Sequence, residues 1–217
     1  MITIGLVAEG PHDLITLSAL IAAEVAKKTG EAVKFKHLQP YPDATGEYSG
    51  GGWARVVAWC LENTGEHLKT FFAPLFAGDT ACDILVIHLD GDAMNLVAPH
   101  TVVQLPAKPT TDQARVEYLK DAVLGWLQPT EEHSKTLVFA VPILQTEAWV
   151  LLAEGVVADC EKINAKEAFR ATHVRGRLAD YYDRRARLAS RRIDYIAAAS
   201  YSYRAFREGL EVHISTT

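Results

Sequence analysis

Short apolar runs alternate along this chain with longer stretches in which apolar residues recur every three or four positions. Met1–Ala8, Ile84–Leu89 and Thr136–Val141 are continuous runs rich in Ile, Val and Leu, the pattern of strands buried on both faces of a parallel sheet. Ala32–Leu38 sets Val33, Phe35 and His37 against Lys34 and Lys36, which reads as a strand with one wetter side. Between these runs the period lengthens. Leu14, Leu17, Leu20, Ile21 and Val25 predict a helix from Pro11 to about Lys28, with proline in its first turn and Gly30 as its stop. Further helices are predicted from Trp53 to about Lys69, over Asp112–Leu127 and over Gln145–Ala153. Gln39–Gly52 is a loop dense in Pro, Asp and Gly, Ala93–Thr110 shows no clear period, and from about Lys162 onward the chain reads as helices only. Strands alternating with helices imply right-handed crossovers and an α/β fold of about four parallel strands flanked by helices. The expected organisation is a Rossmann-like catalytic domain at 1–160 and a helical C-terminal extension, 161–217, packed on it.

Two of the apolar runs end in acids. VAEGPHD places Glu9, Gly10 and Asp13 after the first, and HLDGDA places Asp90, Gly91 and Asp92 after the second. In open α/β sheets ligands gather at the carboxyl ends of the strands, so both segments aim carboxylates at one crevice. Such carboxylates repel one another unless a divalent cation or a shared proton intervenes. The pattern reads as a magnesium site, with Mn²⁺ as a substitute, serving phosphate chemistry. Asp90 and Asp92 can both face a metal when the chain turns at Gly91, and Glu9 either joins them or acts as general acid and base. Asp13 is a further ligand, through water or a second ion, or simply a first-turn helix acid. His88 reads as structural, with the option of orienting Asp90.

Composition adds little except in one place. At 217 residues, 49% hydrophobic and 23% charged, the chain is ordinary for a globular protein. No apolar run approaches about 18 residues and no basic segment precedes the first, so neither a membrane helix nor a signal peptide is expected. Three scattered cysteines, Cys60, Cys82 and Cys160, read as reduced thiols of a cytoplasmic protein. The net charge of −5 hides an asymmetry. Between Arg170 and Arg192 lie eight arginines and two aspartates, a net +6, leaving 14 basic and 25 acidic residues elsewhere, or −11. Arginine suits bidentate phosphate contact. Arg175, Arg177, Arg184, Arg185 and Arg187 are therefore candidate nucleic-acid contacts, against the plainer reading of a solvated helix face.

VAEGPHD and HLDGDA together resemble the two motifs of the TOPRIM domain, shared by topoisomerases, primases, recombination proteins and overcoming-lysogenization-defect nucleases. VPILQTEAWVLLAEG and SYSYRAFREGL are similar to segments of a standalone TOPRIM-like branch of bacterial proteins. The resemblance implies a catalytic set of Glu9, Asp90, Asp92 and Glu147, with Glu9 as acid/base and the aspartates on magnesium. From the residues alone Glu147 is equally a helix-start acid. It further implies a nuclease acting on DNA ahead of RNA, in anti-phage defence beside an ATPase partner. The family position where lysine is expected holds Asp183-Arg184-Arg185, which shifts the basic role to Arg184 or Arg185.

Two alternatives stand beside the nuclease. HLDGDA is faintly similar to the nucleophile motif of haloacid-dehalogenase phosphatases, although Ala93 follows it and it lies mid-chain. The other is a non-catalytic TOPRIM-like subunit. No Gly-Lys-Ser/Thr phosphate loop occurs, so ATP hydrolysis by the chain itself is not expected. A homodimer or an ATPase complex is expected instead, docking through the helical extension with Tyr181, Tyr182, Tyr195, Tyr201 and Tyr203 as anchors.

Overall fold

The computed structural model describes residues 1–42, 48, 50–74, 76, 79–108, 110–155, 159–173 and 175–214. Strand β1 (Ile2–Val7) runs into helix α1 (Pro11–Thr29), which starts on its proline and stops at Gly30. Strand β2 (Val33–Gln39) follows. The single helix expected from Trp53 is two, α2 (Trp53–Glu62) and α3 (Glu66–Phe72). Gly65 separates them at φ 58°, a left-handed conformation that the apolar spacing does not encode. Strand β3 (Ile84–His88) leads through a 3₁₀ turn into the short α4 (Met94–Val97). Helix α5 (Asp112–Leu127) begins at Thr111, whose hydroxyl accepts from Ala114 N. Then come α6 (Glu131–Ser134), β4 (Leu137–Ala140), α7 (Glu147–Glu154), α8 (Ala165–Ala171), α9 (Leu178–Ala189), α10 (Ile193–Ala199) and α11 (Tyr201–Ile214).

The four strands form one parallel sheet in the order β2-β1-β3-β4, with Ile4 opposite Ile84 and Leu85 opposite Leu137. The chain steps from β1 to β2 on one side and then crosses back over β1 to β3 and β4. Right-handed crossovers in opposite directions put the connecting helices on opposite faces, and the cores divide accordingly. Ile2, Ile4, Leu6, Ile84, Val86 and Val138 face α1, α7 and the C-terminal helices. Val7, Leu85, Ile87 and Leu137 face α2 to α5. Buried side chains on both faces explain why these strands read as unbroken apolar runs. The fold is a Rossmann-like α/β sheet with helical layers on both faces.

The helical C-terminal third completes one of those layers. Phe169, Tyr182, Tyr203 and Phe206 share a core with β1, β3, β4 and Trp149. This corrects the expected docking surface. Tyr181, Tyr182 and Tyr203 are buried, so of the five candidate anchors only Tyr195 is broadly exposed. Among the described residues no helix is long and apolar enough to cross a membrane. All three cysteines are buried and none is in a disulfide.

Candidate metal and phosphate site

Because β1 and β3 are neighbours whose chains leave in opposite directions, a crevice opens between their carboxyl ends, the usual ligand position in such sheets. Glu9 and Asp90 flank it, each two residues beyond its strand, and Asp90 N donates to Glu9 Oε1 at 2.8 Å. Two glycines permit the close approaches that shape this end. A Cβ on Gly91 would lie 2.1 Å from Ile143 O, because the connection from β4 to α7 crosses directly over it. A Cβ on Gly51 would lie 2.1 Å from Glu9 O, whose partner is Gly52 N at 2.6 Å. The glycine run before Trp53 thus lies on the end of β1. Arg115 Nη1 donates to Gly91 O at 2.9 Å and fixes the turn from the α5 side.

Three side chains meet beneath this rim. Asp13 in the first turn of α1, His88 at the end of β3, and Asp90 are 5%, 0% and 1% exposed. Each offers a ligand atom, and the three atoms lie within 4.8 Å of one another. Asp90 Oδ1 accepts from Thr146 N at 3.1 Å and Thr146 Oγ1 at 3.0 Å, and lies 3.2 Å from His88 Nε2. Its other oxygen lies 3.5 Å from Lys166 Nζ. Glu147, 2% exposed at the start of α7, accepts from the Tyr182 hydroxyl at 2.5 Å through Oε1. Its Oε2 is buried with no hydrogen-bond partner. Glu9, Asp13, Glu147, Lys166 and Arg170 line one cleft of about 190 Å³. Larger hollows beside β4 and between α1 and α9 gather no comparable set of carboxylates.

The charges are mutually adjusted. Burial and the Asp90 charge push Glu9 up to about 8, and burial with Asp90 and Glu147 pushes Asp13 up to about 7. Burial also acts on Asp90, yet the His88 hydrogen bond, the His88 and Lys166 charges and Thr146 hold it below the usual carboxylate range. Burial alone would lower His88, but the bond to Asp90 and the surrounding acids raise it to about 9. Lys166 is raised by Asp90, Glu147, Asp13 and Glu9 against its own burial. The cluster therefore holds more acids than it ionises together at neutral pH. Two buried carboxylates, an imidazole and the orphaned Glu147 oxygen make a donor set that fits a divalent cation, and such an ion would displace those protons.

The structure brings together Glu9, Asp13, Asp90 and Glu147 from the sequence-predicted set. Asp92 stands apart from the three-ligand group. It is exposed, accepts from Gln145 Nε2 at 2.9 Å through Oδ2, and is raised by burial and the Asp90 charge. The 3₁₀ turn after Asp90 carries it outward.

The arginine assignments need one clear correction. Arg185 is 7% exposed, paired with Glu154, bonded to Thr172 Oγ1 and Tyr181, and stacked over Phe169, so it is a core residue with no reach to a phosphate. Arg175, Arg177, Arg184 and Arg187 are exposed, with Arg177 on Asp180 and Arg187 on Asp183. None of the five lines the cleft; the cations that do are Lys166 and Arg170 of α8.

Sequence reasoning missed Lys166 and Thr146. Lys166 follows the helix cap Asn164 in an unremarkable short helix, and only the packing of α8 against α7 aims it at Asp90. Thr146 reads as an ordinary helix cap before Glu147, but its hydroxyl serves Asp90 instead of its own helix. Compared with family models, curated proteins and solved structures, the chain matches none.

Proposed function

We propose that this protein is a divalent-cation-dependent phosphodiesterase acting on nucleic acid, a nuclease of TOPRIM type. The carrying observation is the convergence of Glu9, Asp13, Asp90 and Glu147 at the switch point of the sheet beneath the ammonium of Lys166 and the guanidinium of Arg170. An acidic floor under a cationic lip suits a phosphate bridged to a metal. Asp13 and Asp90 would hold the cation, which when bound neutralises phosphate charge and sharpens a nucleophilic water. Thr146 and His88 fix Asp90, and Tyr182 fixes Glu147, so the acids are preorganised by their neighbours.

Glu9 is the general acid/base in this reading. It lies half-buried at the lip, and its ionisation near 8 suits proton exchange with an attacking water or a departing alkoxide close to neutral pH. Lys166 and Arg170 would bind the non-bridging oxygens of the scissile phosphate. A phosphatase of the haloacid-dehalogenase kind would need Asp90 as its nucleophile. The Oδ1 atom of Asp90 already accepts from Thr146 and His88, and its Oδ2 faces Lys166, which leaves it poorly placed to attack phosphorus.

Supercoiled plasmid, linear duplex, single-stranded DNA and RNA, each incubated with the purified chain and Mg²⁺, Mn²⁺ or EDTA, test the reading. Cleavage of at least one substrate, lost in EDTA and in Asp90→Ala, is the expected result. Absence of cleavage of all four with every cation tried overturns it.

A further inference from the structure

The imidazole of His12 belongs to a stack of rings that opens into the cleft. His12 follows Pro11 in the first turn of α1, the helix that packs along α9. Its ring lies on that of Tyr182, with centroids 4.3 Å apart and planes 18° from parallel. Tyr182 is 1% exposed, rests against Phe169 with 4.6 Å between centroids, and donates its hydroxyl to Glu147. The inner rings are therefore fixed by the core and by a site carboxylate. His12 is only half-buried, and it lines the same cleft as Glu9, Glu147, Lys166 and Arg170. Tyr182 covers one face of the imidazole, so the surface it gives the cleft is the other face. Among the described residues its ring makes no hydrogen bond, the one side-chain donor to His12 being Thr16 Oγ1, which serves the backbone oxygen.

Phosphate is already provided for by Lys166 and Arg170, whose charges also bear on His12. A flat ring face beside two cations suits the next group along a nucleotide, its base. Unpaired bases are held by stacking on aromatic side chains, histidine among them, and every base has a face to offer. We infer that His12 is a base-stacking residue: the nucleobase adjoining the phosphate in the cleft lies on the open face of its imidazole and extends the stack that Tyr182 begins. The inference rests on the reading that this cleft takes nucleic acid, and it narrows the substrate. Inside a duplex both faces of a base are covered by its neighbours, so only an unpaired, unstacked base reaches the ring. The substrate class is a single strand, a loop or a frayed end. Glu9, Asp13 and Asp90 keep the roles given above, because the stack binds substrate without joining the metal cluster.

The probes are an oligothymidylate of about 12 nucleotides and a spacer oligomer of equal length that carries the phosphates without bases. Fluorescence anisotropy reads their binding to the purified full chain, in EDTA and again with Ca²⁺. The wild type should bind the oligothymidylate about 5- to 150-fold more tightly than the spacer. His12→Ala should lose most of that preference while binding the spacer as the wild type does, and His12→Phe, which keeps a ring, should retain it. Proton NMR supplies a second readout that decides should His12→Ala not fold. The His12 ring protons, assigned by their absence in His12→Phe, should shift upfield with oligothymidylate and stay in place with the spacer. Equal binding of the two oligomers by the wild type, an undiminished preference in His12→Ala, or ring protons indifferent to the bases overturns the role of His12 and leaves the nuclease reading standing. Base-dependent binding without cleavage of any substrate upholds this inference and overturns only the catalytic reading. Absence of binding to either oligomer under both conditions overturns the nucleic-acid reading and this inference together.

Discussion

Replacing Asp13 with asparagine should stabilise the metal-free protein at alkaline pH and do so far less in mild acid. Asp13 is almost wholly buried, facing His88, Asp90, Glu147 and Lys166, and its charge also acts on the Glu9 carboxyl. Its burial and the Asp90 and Glu147 charges raise it from an ordinary 3.8 to about 7, even though His88 and Lys166 pull the other way. As pH rises, the unfolded chain releases this proton first, and the folded chain keeps it until near neutrality. Stability is therefore lost progressively across that window and is intact below it. At about 1.4 kcal/mol for each pH unit separating the two states, the full cost is about 4 kcal/mol.

Asparagine keeps the shape of the protonated acid without its ionisation, so the variant escapes that cost. His88, raised to about 9 from 6.5, stabilises the fold below 6.5 and loses that contribution as pH climbs through 9. The wild type should thus weaken over the whole alkaline range, and Asp13→Asn should weaken less. For a chain of this size about 1 kcal/mol moves Tm by 2–4 °C, so a gain of roughly 8–16 °C is expected at pH 8 in EDTA, shrinking to about 2–4 °C near pH 4.5. Thermal melts followed by circular dichroism at both pH values read this directly. An equal shift at the two pH values, or a loss at pH 8, would refute the electrostatic argument.

Other substitutions probe separate parts of the account. Arg185→Ala should destabilise the fold by about 3 kcal/mol in urea titration, because it strands Glu154 in a largely buried position, whereas Arg184→Ala should stay within about 0.5 kcal/mol. Gly91→Ala should abolish cleavage and destabilise measurably, since its Cβ would overlap backbone oxygens of Pro142 and Ile143, which cannot give way as a flexible side chain can. Tyr182→Phe leaves the Glu147 carboxylate without its hydrogen bond and should cost about 1–3 kcal/mol by chemical denaturation. Lys166→Met with Arg170→Ala should weaken nucleic-acid binding and reduce the slope of log K against log salt by roughly 0.9 for each phosphate no longer neutralised, measured by fluorescence anisotropy on duplex DNA.

The fold was legible because both faces of the sheet are covered. Val86 and Leu85 point to opposite cores, so β3 had to be apolar throughout, and its length and the acids after it followed. Helix α5 was legible to the residue because its period is regular and Thr111 caps it. The break at Gly65 was hidden, since apolar spacing continues across it and only a backbone angle marks the turn. At the site, Glu9 and Asp90 follow from strand ends, which are local signals. Lys166 and Thr146 arrive from segments 76 and 56 residues away from Asp90, and no short pattern encodes that meeting. Charge counting misled for Arg185, because composition weighs a buried, paired guanidinium and a solvated one alike. His88 read as structural with the option of orienting Asp90, and its Nε2, 3.2 Å from Asp90 Oδ1, takes up that option.

The central claim is that Asp90 and Glu9 serve phosphodiester cleavage through a bound cation. The most direct measurement is the cleavage rate of a fluorogenic oligonucleotide, DNA and RNA in parallel, as divalent cation is titrated into wild type, Asp90→Asn and Glu9→Gln. The account expects a saturable rise for the wild type, no measurable rise for Asp90→Asn at any cation concentration, and a maximal rate about 10²–10⁴-fold lower for Glu9→Gln. Cleavage by Asp90→Asn at the wild-type rate, or a wild-type rate indifferent to the cation and to EDTA, would contradict it.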